Sequence, residues 1–396
     1  MSRPASTHAS LIFLAITLLG FLAASSAPTP LYHLYQEQMQ FSPAVLTLIF
    51  GVYAFSLLAA LLTVGSLSDY LGRRPVLFVA LLLNILAMLL FISADNVAWL
   101  ITARLIQGFA TGMATSVLGA ALLDFDRRQG PLITSVAPLL GMACGALGCG
   151  LLAEFAPLPL QLTYWILLGL FLAQAVYLWR LTESVSPQPG AWQSLRPTLH
   201  VPPQARQALW RILPLDLAAW AVGGFYLSLA PSLVRAATGS TSNLIGGALV
   251  AVLTLSGASA IYLLRNQGAD KMLRLSASLL VIGLALVLTA VHGASLPLFF
   301  VGTLVTGCGF GAGFLGALRS IMPLALPHER AGLMSAFYVL SYLAFSLPSL
   351  LAGNLTRIFG LIPTTDGYGA ALIVLCVAAL SGLRQSIKPL GNGVRP

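Results

Sequence analysis

Twelve long apolar runs constrain this chain more than any other feature. They lie at roughly residues 9–30, 43–66, 75–93, 97–122, 131–153, 162–181, 209–232, 243–264, 272–291, 296–319, 331–356 and 367–386. Each holds about 20 mainly apolar residues, the length a helix needs to cross a bilayer core. A transmembrane β-barrel would need alternating segments of about ten residues, and these runs are continuous. Only 8% of the 396 residues are charged, against 58% apolar. A soluble chain of this size covers its outside with charge, near a quarter of its residues. The composition therefore excludes a soluble enzyme, a nucleic-acid-binding domain and a disordered scaffold. It implies an all-α integral membrane protein whose surroundings are the lipid bilayer.

The basic residues assign the two sides. Arg3, Arg73, Arg74, Arg127, Arg128, Arg180, Arg196, Arg206, Arg211, Arg265, Lys271, Arg274, Arg319, Arg330, Arg384, Lys388 and Arg395 lie in or beside the termini and the even-to-odd loops. Arg235 and Arg357 fall in odd-to-even loops, and Arg104 lies inside a run. The positive-inside rule predicts cytoplasmic termini and a cytoplasmic central loop, hence a multi-pass protein of the inner (cytoplasmic) membrane. The net charge of +9 is then a matter of topology, and no nucleic-acid partner is implied. Arg3, the apolar stretch Leu11 to Leu22 and the small residues Ala23 to Ala27 imitate a secretory leader. The run continues past that point, so it is read as the first span.

The longest polar interval, 182–208, carries Glu183, Arg196, Arg206 and the prolines 187, 189, 197, 202 and 203. It reads as an extended linker. On either side the chain echoes itself weakly. Ser25-Ser26-Ala27-Pro28-Thr29 returns as Leu227-Ser228-Leu229-Ala230-Pro231-Ser232, and Arg127-Arg128-Gln129-Gly130 as Glu329-Arg330-Ala331-Gly332, at offsets of 203 and 202. These echoes predict a duplicated unit: a six-helix bundle over 1–181, a linker over 182–208 and a second six-helix bundle over 209–396. That is the layout of a transporter whose site lies between two bundles.

Four segments stand out for the residues they carry. The loop Gly65-Ser66-Leu67-Ser68-Asp69-Tyr70-Leu71-Gly72-Arg73-Arg74-Pro75 sets an acid four residues before two Arg, between glycines. Its carboxylate can bond helix-end amides or a neighbouring Arg. The fourth run contains Arg104-Leu105-Ile106-Gln107-Gly108, in which Arg104 and Gln107 share one helix face. A charge two turns inside a span must face protein or a watery cavity. The fifth run contains Ala137-Pro138-Leu139-Leu140-Gly141-Met142, followed by Gly145, Gly148 and Gly150, and the tenth contains Gly307, Gly309, Gly311, Gly313 and Gly316. Such glycines suit either close helix packing or flexibility.

On these residues the chain resembles the major facilitator superfamily. Five of the six fixed positions of its Gly-x-x-x-Asp-(Arg/Lys)-x-Gly-Arg-(Arg/Lys) loop signature match, with Tyr70 departing. Residues 104–108 resemble its fourth-helix Arg-x-x-Gln-Gly motif, and Pro138 and Gly141 match two of the four fixed positions of its Gly-Pro-x-x-Gly-Gly antiporter motif. The first run, Leu19-Gly20 to Pro28-Thr29-Pro30, is nearest in pattern to the drug/proton antiporter group, with Ser25 and Ser26 where several of its members carry an acid. The resemblance implies twelve transmembrane helices in two six-helix bundles, and no enzyme activity. It implies a monomeric secondary active transporter working by alternating access, with proton-coupled export of a small, partly apolar organic substrate as the leading reading. A proton-linked importer of a sugar, amino acid or organic acid is the rival, and a non-transporting membrane receptor is a third reading. First, fourth, seventh and tenth helices line the cavity in this family. That places the substrate and coupling site among Ser25, Ser26, Arg104, Gln107, Asp216, Trp220 and Tyr226, and a gate at Gly65, Asp69, Gly72, Arg73 and Arg74.

Asp216 is the one acid clearly within an apolar run on a cavity helix, about one turn from its cytoplasmic end. It either carries the coupled proton or pairs with Arg211 or Arg319 as an interfacial lock. Glu37 and Glu154, near the other ends, stand behind it as coupling candidates. No Gly-x-x-x-x-Gly-Lys-(Ser/Thr) loop is present, which argues against ATP-driven pumping. The five His are dispersed, and Cys144, Cys149, Cys308 and Cys376 lie singly in apolar runs, so no cofactor, metal site or disulfide is expected and the cysteines are read as small buried residues. Trp99, Trp165, Tyr164, Tyr32 and Tyr35 near run ends read as an interfacial belt.

Overall fold

The computed structural model describes residues 7–326 and 328–385; Arg3, Lys388 and Arg395 lie outside them. Among the described residues, twelve helices are long and apolar enough to cross a membrane: α1 (His8–Met39), α2 (Pro43–Thr63), α3 (Arg73–Ile92), α4 (Val97–Phe125), α5 (Gly130–Phe155), α6 (Leu162–Arg180), α7 (Pro203–Ser228), α8 (Asn243–Leu264), α9 (Ala269–His292), α10 (Leu296–Leu324), α11 (Arg330–Phe359) and α12 (Leu361–Leu383). Their starts follow local chemistry. Ser42 caps α2 ahead of Pro43, and the Asn96 side chain accepts the amides of Ala98 and Trp99 at 2.9 and 3.3 Å to open α4.

Within the first six helices α1 packs on α5, α2 and α3 on α4, and α3 on α6; within the second six α7 packs on α11, α8 and α9 on α10, and α9 on α12. Two six-helix bundles result, joined along α2 against α11 and α5 against α8. The weak sequence echo has a structural counterpart. α1 breaks after Ser26 at Pro28 and resumes as Tyr32–Met39, and α7 ends at Ser228 and is followed by the helix Ala230–Thr238, which carries Pro231. The two breaks touch: Thr29 Oγ1 donates to the Leu227 carbonyl at 2.9 Å.

The glycine runs serve packing. On α10, Gly307 and Gly311 face the α8 backbone at Leu253 and Gly257, while Gly309, Gly313 and Gly316 face Leu280, Ser276 and Met272 of α9. On α5, Gly141 and Gly145 lie against the Leu19 and Ala23 carbonyls of α1. Without a water-driven hydrophobic term between helices, this close approach is what dispersion and backbone contact require.

Call the end carrying the 65–74 loop the basic end and the opposite one the sparse end. Hydrogen bonds joining helices of the two bundles gather at the sparse end. There the Glu154 carboxylate of α5 accepts the Asn243 amide that starts α8 at 2.7 Å, and Asn243 Nδ2 donates to the Ala153 carbonyl at 3.3 Å. Phe50 of α2 meets Phe345 of α11 with ring centroids 4.9 Å apart. Toward the basic end, Thr115 and Ser116 of α4, Ile133 and Thr134 of α5, Phe314 of α10 and Met334 and Tyr338 of α11 are only half-buried.

Two expectations change. Cys149 and Cys376 are buried, but Cys144 is exposed and Cys308 half-buried, because helices in a bilayer need no polar outer face. Of the residues read as an interfacial belt, Trp99 and Trp165 are exposed, whereas Tyr32, Tyr35 and Tyr164 are buried. Tyr164 stacks on Phe91 and accepts from the Tyr35 hydroxyl at 3.3 Å.

Candidate functional site

In the first bundle the site is built around Arg104, which is 1% exposed. Its guanidinium donates to the Ser25 carbonyl at 2.9 Å and to Gln107 Oε1 at 2.7 Å, and lies 4.3 Å from the centroid of the Tyr53 ring. Gln107 Nε2 donates onward to the Ala24 carbonyl at 2.9 Å. Those carbonyls are reachable because α1 nears its break at Pro28. The Arg104 charge is thus met by peptide dipoles and an aromatic face, and no carboxylate among the described residues pairs with it. That leaves the cation electrostatically free for an incoming anion or polarised group.

In the second bundle the seat is Asp216, 5% exposed. α7 begins at Pro203, earlier than the apolar run suggests, so Asp216 lies thirteen residues along it, or about 20 Å at 1.5 Å per residue. The position one turn from the helix end is corrected accordingly. So is the lock. Arg211 donates to the Leu383 carbonyl at 3.4 Å and faces Asp270 at 4.0 Å, and Arg319 donates to the carbonyls of Gln267 and Arg265. Asp216 instead accepts from Ser341 of α11 at 2.9 Å.

One turn beyond it, Trp220 closes an aromatic wall with Tyr342 at 5.0 Å, Phe345 at 5.9 Å and Phe314 at 6.1 Å between ring centroids. The wall meets the first bundle through Phe50. Sequence reasoning missed Tyr53 and all of the α11 contribution. A signal for α11 was present, since Tyr338, Ser341, Tyr342 and Phe345 recur at helical spacing on one face.

Ser25, Arg104 and Gln107 are brought together, as are Asp216 and Trp220. Two expected residues do not join them. The Ser26 hydroxyl donates to the Met142 carbonyl of α5 at 2.8 Å, a packing bond beside Gly145. Tyr226 turns into its own bundle, its hydroxyl 2.9 Å from Thr303 of α10.

The 65–74 loop forms a second cluster at the basic end. Arg73 bonds Asp69, donates to Ser68 Oγ at 2.7 Å and to Asp124 Oδ2 at 3.0 Å. Glu183, beyond α6, accepts the Arg73 and Arg74 amides at 2.8 and 2.9 Å, capping α3 with charge where its dipole favours it. Gly72 sits at φ 96° with Glu183 at the place a Cβ would fill, which explains a glycine there. Arg74 donates to the Trp179 carbonyl at 3.1 Å, and Gly65 packs on the Leu61 carbonyl. Asp124 and Glu183 were missed because their partners are 51 and 110 residues away. Asp126, near Asp124, serves a different purpose: it accepts the amides of Arg128 and Gln129, which hold its carboxyl below the usual range.

The Major Facilitator Superfamily model matches residues 12–348. Multidrug resistance protein MdtL of Klebsiella pneumoniae (strain 342) is 25% identical over 314 residues, covering 74% of this chain and 75% of that protein. MdtL of Citrobacter koseri is 32% identical over 114 residues, 27% of this chain and 29% of that one. Among solved structures, the nucleoside transporter NupG superposes with TM-score 0.69 at 13% identity, over 95% of this chain and 99% of that one. The human organic anion transporter MFSD10 (TETRAN) gives 0.67 at 18%, over 95% and 100%. A bacterial homolog of the human lysosomal transporter Spinster, inward-facing and unoccupied, gives 0.68 at 14%, over 96% and 95%.

Proposed function

We propose, starting from the fact that this chain belongs to the Major Facilitator Superfamily, that it exports a small, partly apolar organic compound in exchange for protons by alternating access. One observation carries the reading: a buried acid, Asp216, sits beneath an aromatic wall that reaches the seam between the bundles, with the uncompensated Arg104 on the other side. Aromatic rings supply area to a substrate with an apolar body, and a lone buried carboxyl exchanges its proton according to what lies beside it. Ser341 links that carboxyl to α11, so its protonation state bears on how α7 and α11 cross. The similarity to MdtL supports export. The tight sparse end and the looser basic end support an inward-facing arrangement, with the basic end and both termini in the cytoplasm of an inner-membrane protein that works as a monomer. In this scheme Gly65, Asp69, Gly72, Arg73 and Arg74 form the gate.

The test uses proteoliposomes and a substrate chosen by screening a deletion strain against toxic compounds and nutrients. Asp216→Asn is expected to abolish pH-gradient-driven transport and to retain substrate exchange at zero gradient. Gradient-driven transport persisting in that variant removes Asp216 from coupling and directs attention to Glu37 and Glu154. The second reading, proton-linked import of an organic acid, rests on the Arg104 cation, and counterflow in vesicles of known orientation distinguishes it.

A further inference from the structure

Away from the seam, a cavity of about 320 Å³ opens at the basic end among α7, α9, α10 and α12. Ala208, Ile212, Leu273 and Leu383 form apolar walls, and Arg211, Asp270 and Lys271 bring charge to it. Arg211 makes a long bond to the Leu383 carbonyl, and its Nε is buried with no hydrogen-bond partner among the described residues. A buried guanidinium N–H left in that state costs free energy unless an acceptor arrives. Lys271 donates to Gln267 Oε1 at 3.0 Å, keeping its ammonium near the rim. The start of α9 also lines the cavity, and no side chain caps it, so its first amides add positive potential. Asp270 opposes this, 4.0 Å from Arg211 and two-thirds exposed, so it neutralises one of the two cations only partly. α12 is the span least buried within the protein, and Trp210, the residue before Arg211, is 72% exposed. The cavity therefore sits at the outer rim of the bundle, where headgroups lie against the protein.

We infer that this cavity is a binding site for a phosphate group, held by Arg211, Lys271 and the first turn of α9, with a lipid headgroup phosphate as the occupant its place in the bundle favours. Basic pockets between spans at a charged membrane face suit such headgroups, and acyl chains would lie along the apolar surface beside Trp210.

The full chain, purified in detergent, is offered equal amounts of phosphatidylglycerol and phosphatidylcholine, and retained lipid is counted by native mass spectrometry. Wild type is expected to prefer phosphatidylglycerol by about fivefold or more, the scale of one basic side chain at an anionic membrane surface. The double variant Arg211→Gln with Lys271→Gln should bring the ratio near one, while Arg206→Gln, outside the cavity, should leave it unchanged. Asp270→Asn should raise the preference, a gain that misfolding cannot imitate. In a parallel arm, inorganic phosphate raising the melting temperature of wild type and not of the double variant, without lipid preference, identifies a free phosphate as the occupant and keeps the site. Equal retention of both lipids by wild type with no response to inorganic phosphate overturns the inference. So does an unchanged preference in a folded double variant.

Discussion

Arg104 shows how much a single side chain can be asked to do inside a membrane. A guanidinium with no carboxylate partner survives at 1% exposure because α1 breaks beside it and turns carbonyls toward it. Both bonds, to the Ser25 carbonyl and to Gln107, leave one guanidinium nitrogen, Nη1, while the planar group lies over the Tyr53 ring; lysine keeps the charge but has a shorter stem and no planar face to set against that ring. Arg104→Lys is therefore expected to yield folded protein with transport reduced about tenfold or more, checked by melting temperature and initial rate in the same preparation. Wild-type rates would remove the geometric role and leave only a point charge. The Arg73 cluster permits a ranking. Asp69 is 54% exposed and Asp124 31%, and Asp124 also accepts from Ser184 at 2.9 Å. Solvent screening weakens the more exposed pair. Asp124→Asn should thus slow transport more than Asp69→Asn, with substrate affinity changed little in either. Equal loss of rate and affinity would assign the loop to folding.

At the scale of helices, the controlling feature is how closely backbones approach. Gly224 of α7 lies against the Phe345 carbonyl and Ser349 of α11, and a Cβ there has no room. Among the described residues, nothing lies within 4 Å of the Cβ position of Gly148 on α5. Gly224→Val should separate α7 from α11, dislodge the Asp216–Ser341 bond and sharply lower the yield of monodisperse protein on size exclusion. Gly148→Val should pass that measurement near wild type. If both behave alike, packing at α7–α11 is not what holds the second bundle.

For the molecule as a whole, the question is what keeps two bundles in one arrangement. The Glu154 carboxylate accepts the first amide of α8 from across the seam, a bond that opening the sparse end must break. Glu154→Gln weakens a charge-assisted bond by about 1 kcal/mol or more. It should shift the population toward states open at the sparse end. In a background without native cysteines, Leu227→Cys should then react several-fold faster with a membrane-impermeant maleimide than it does beside an intact Glu154; an unchanged rate would deny that this bond holds the closure. Reporters fused after Leu181 and after the last residue should both indicate the cytoplasm, and an external C-terminus would contradict the topology proposed from the basic residues.

Helix number, the family and the two-bundle layout were legible in the sequence, because a bilayer imposes a length and a hydropathy that each span satisfies by itself. The echo at Pro28 and Pro231 and the helical spacing on α11 were also written there, since both are local. What lay beyond reading was every relation between distant segments: that Arg104 has no acid, that Asp216 answers to Ser341 and not to Arg211 or Arg319, that Glu183 caps α3 across 110 residues, and that Tyr226 turns away from the seam. The hydropathy of a span says that it crosses and is nearly silent on which face it turns inward, because lipid and protein interior are alike apolar. Only the packed bundles, through glycine contacts and helix breaks, decide which polar side chains meet.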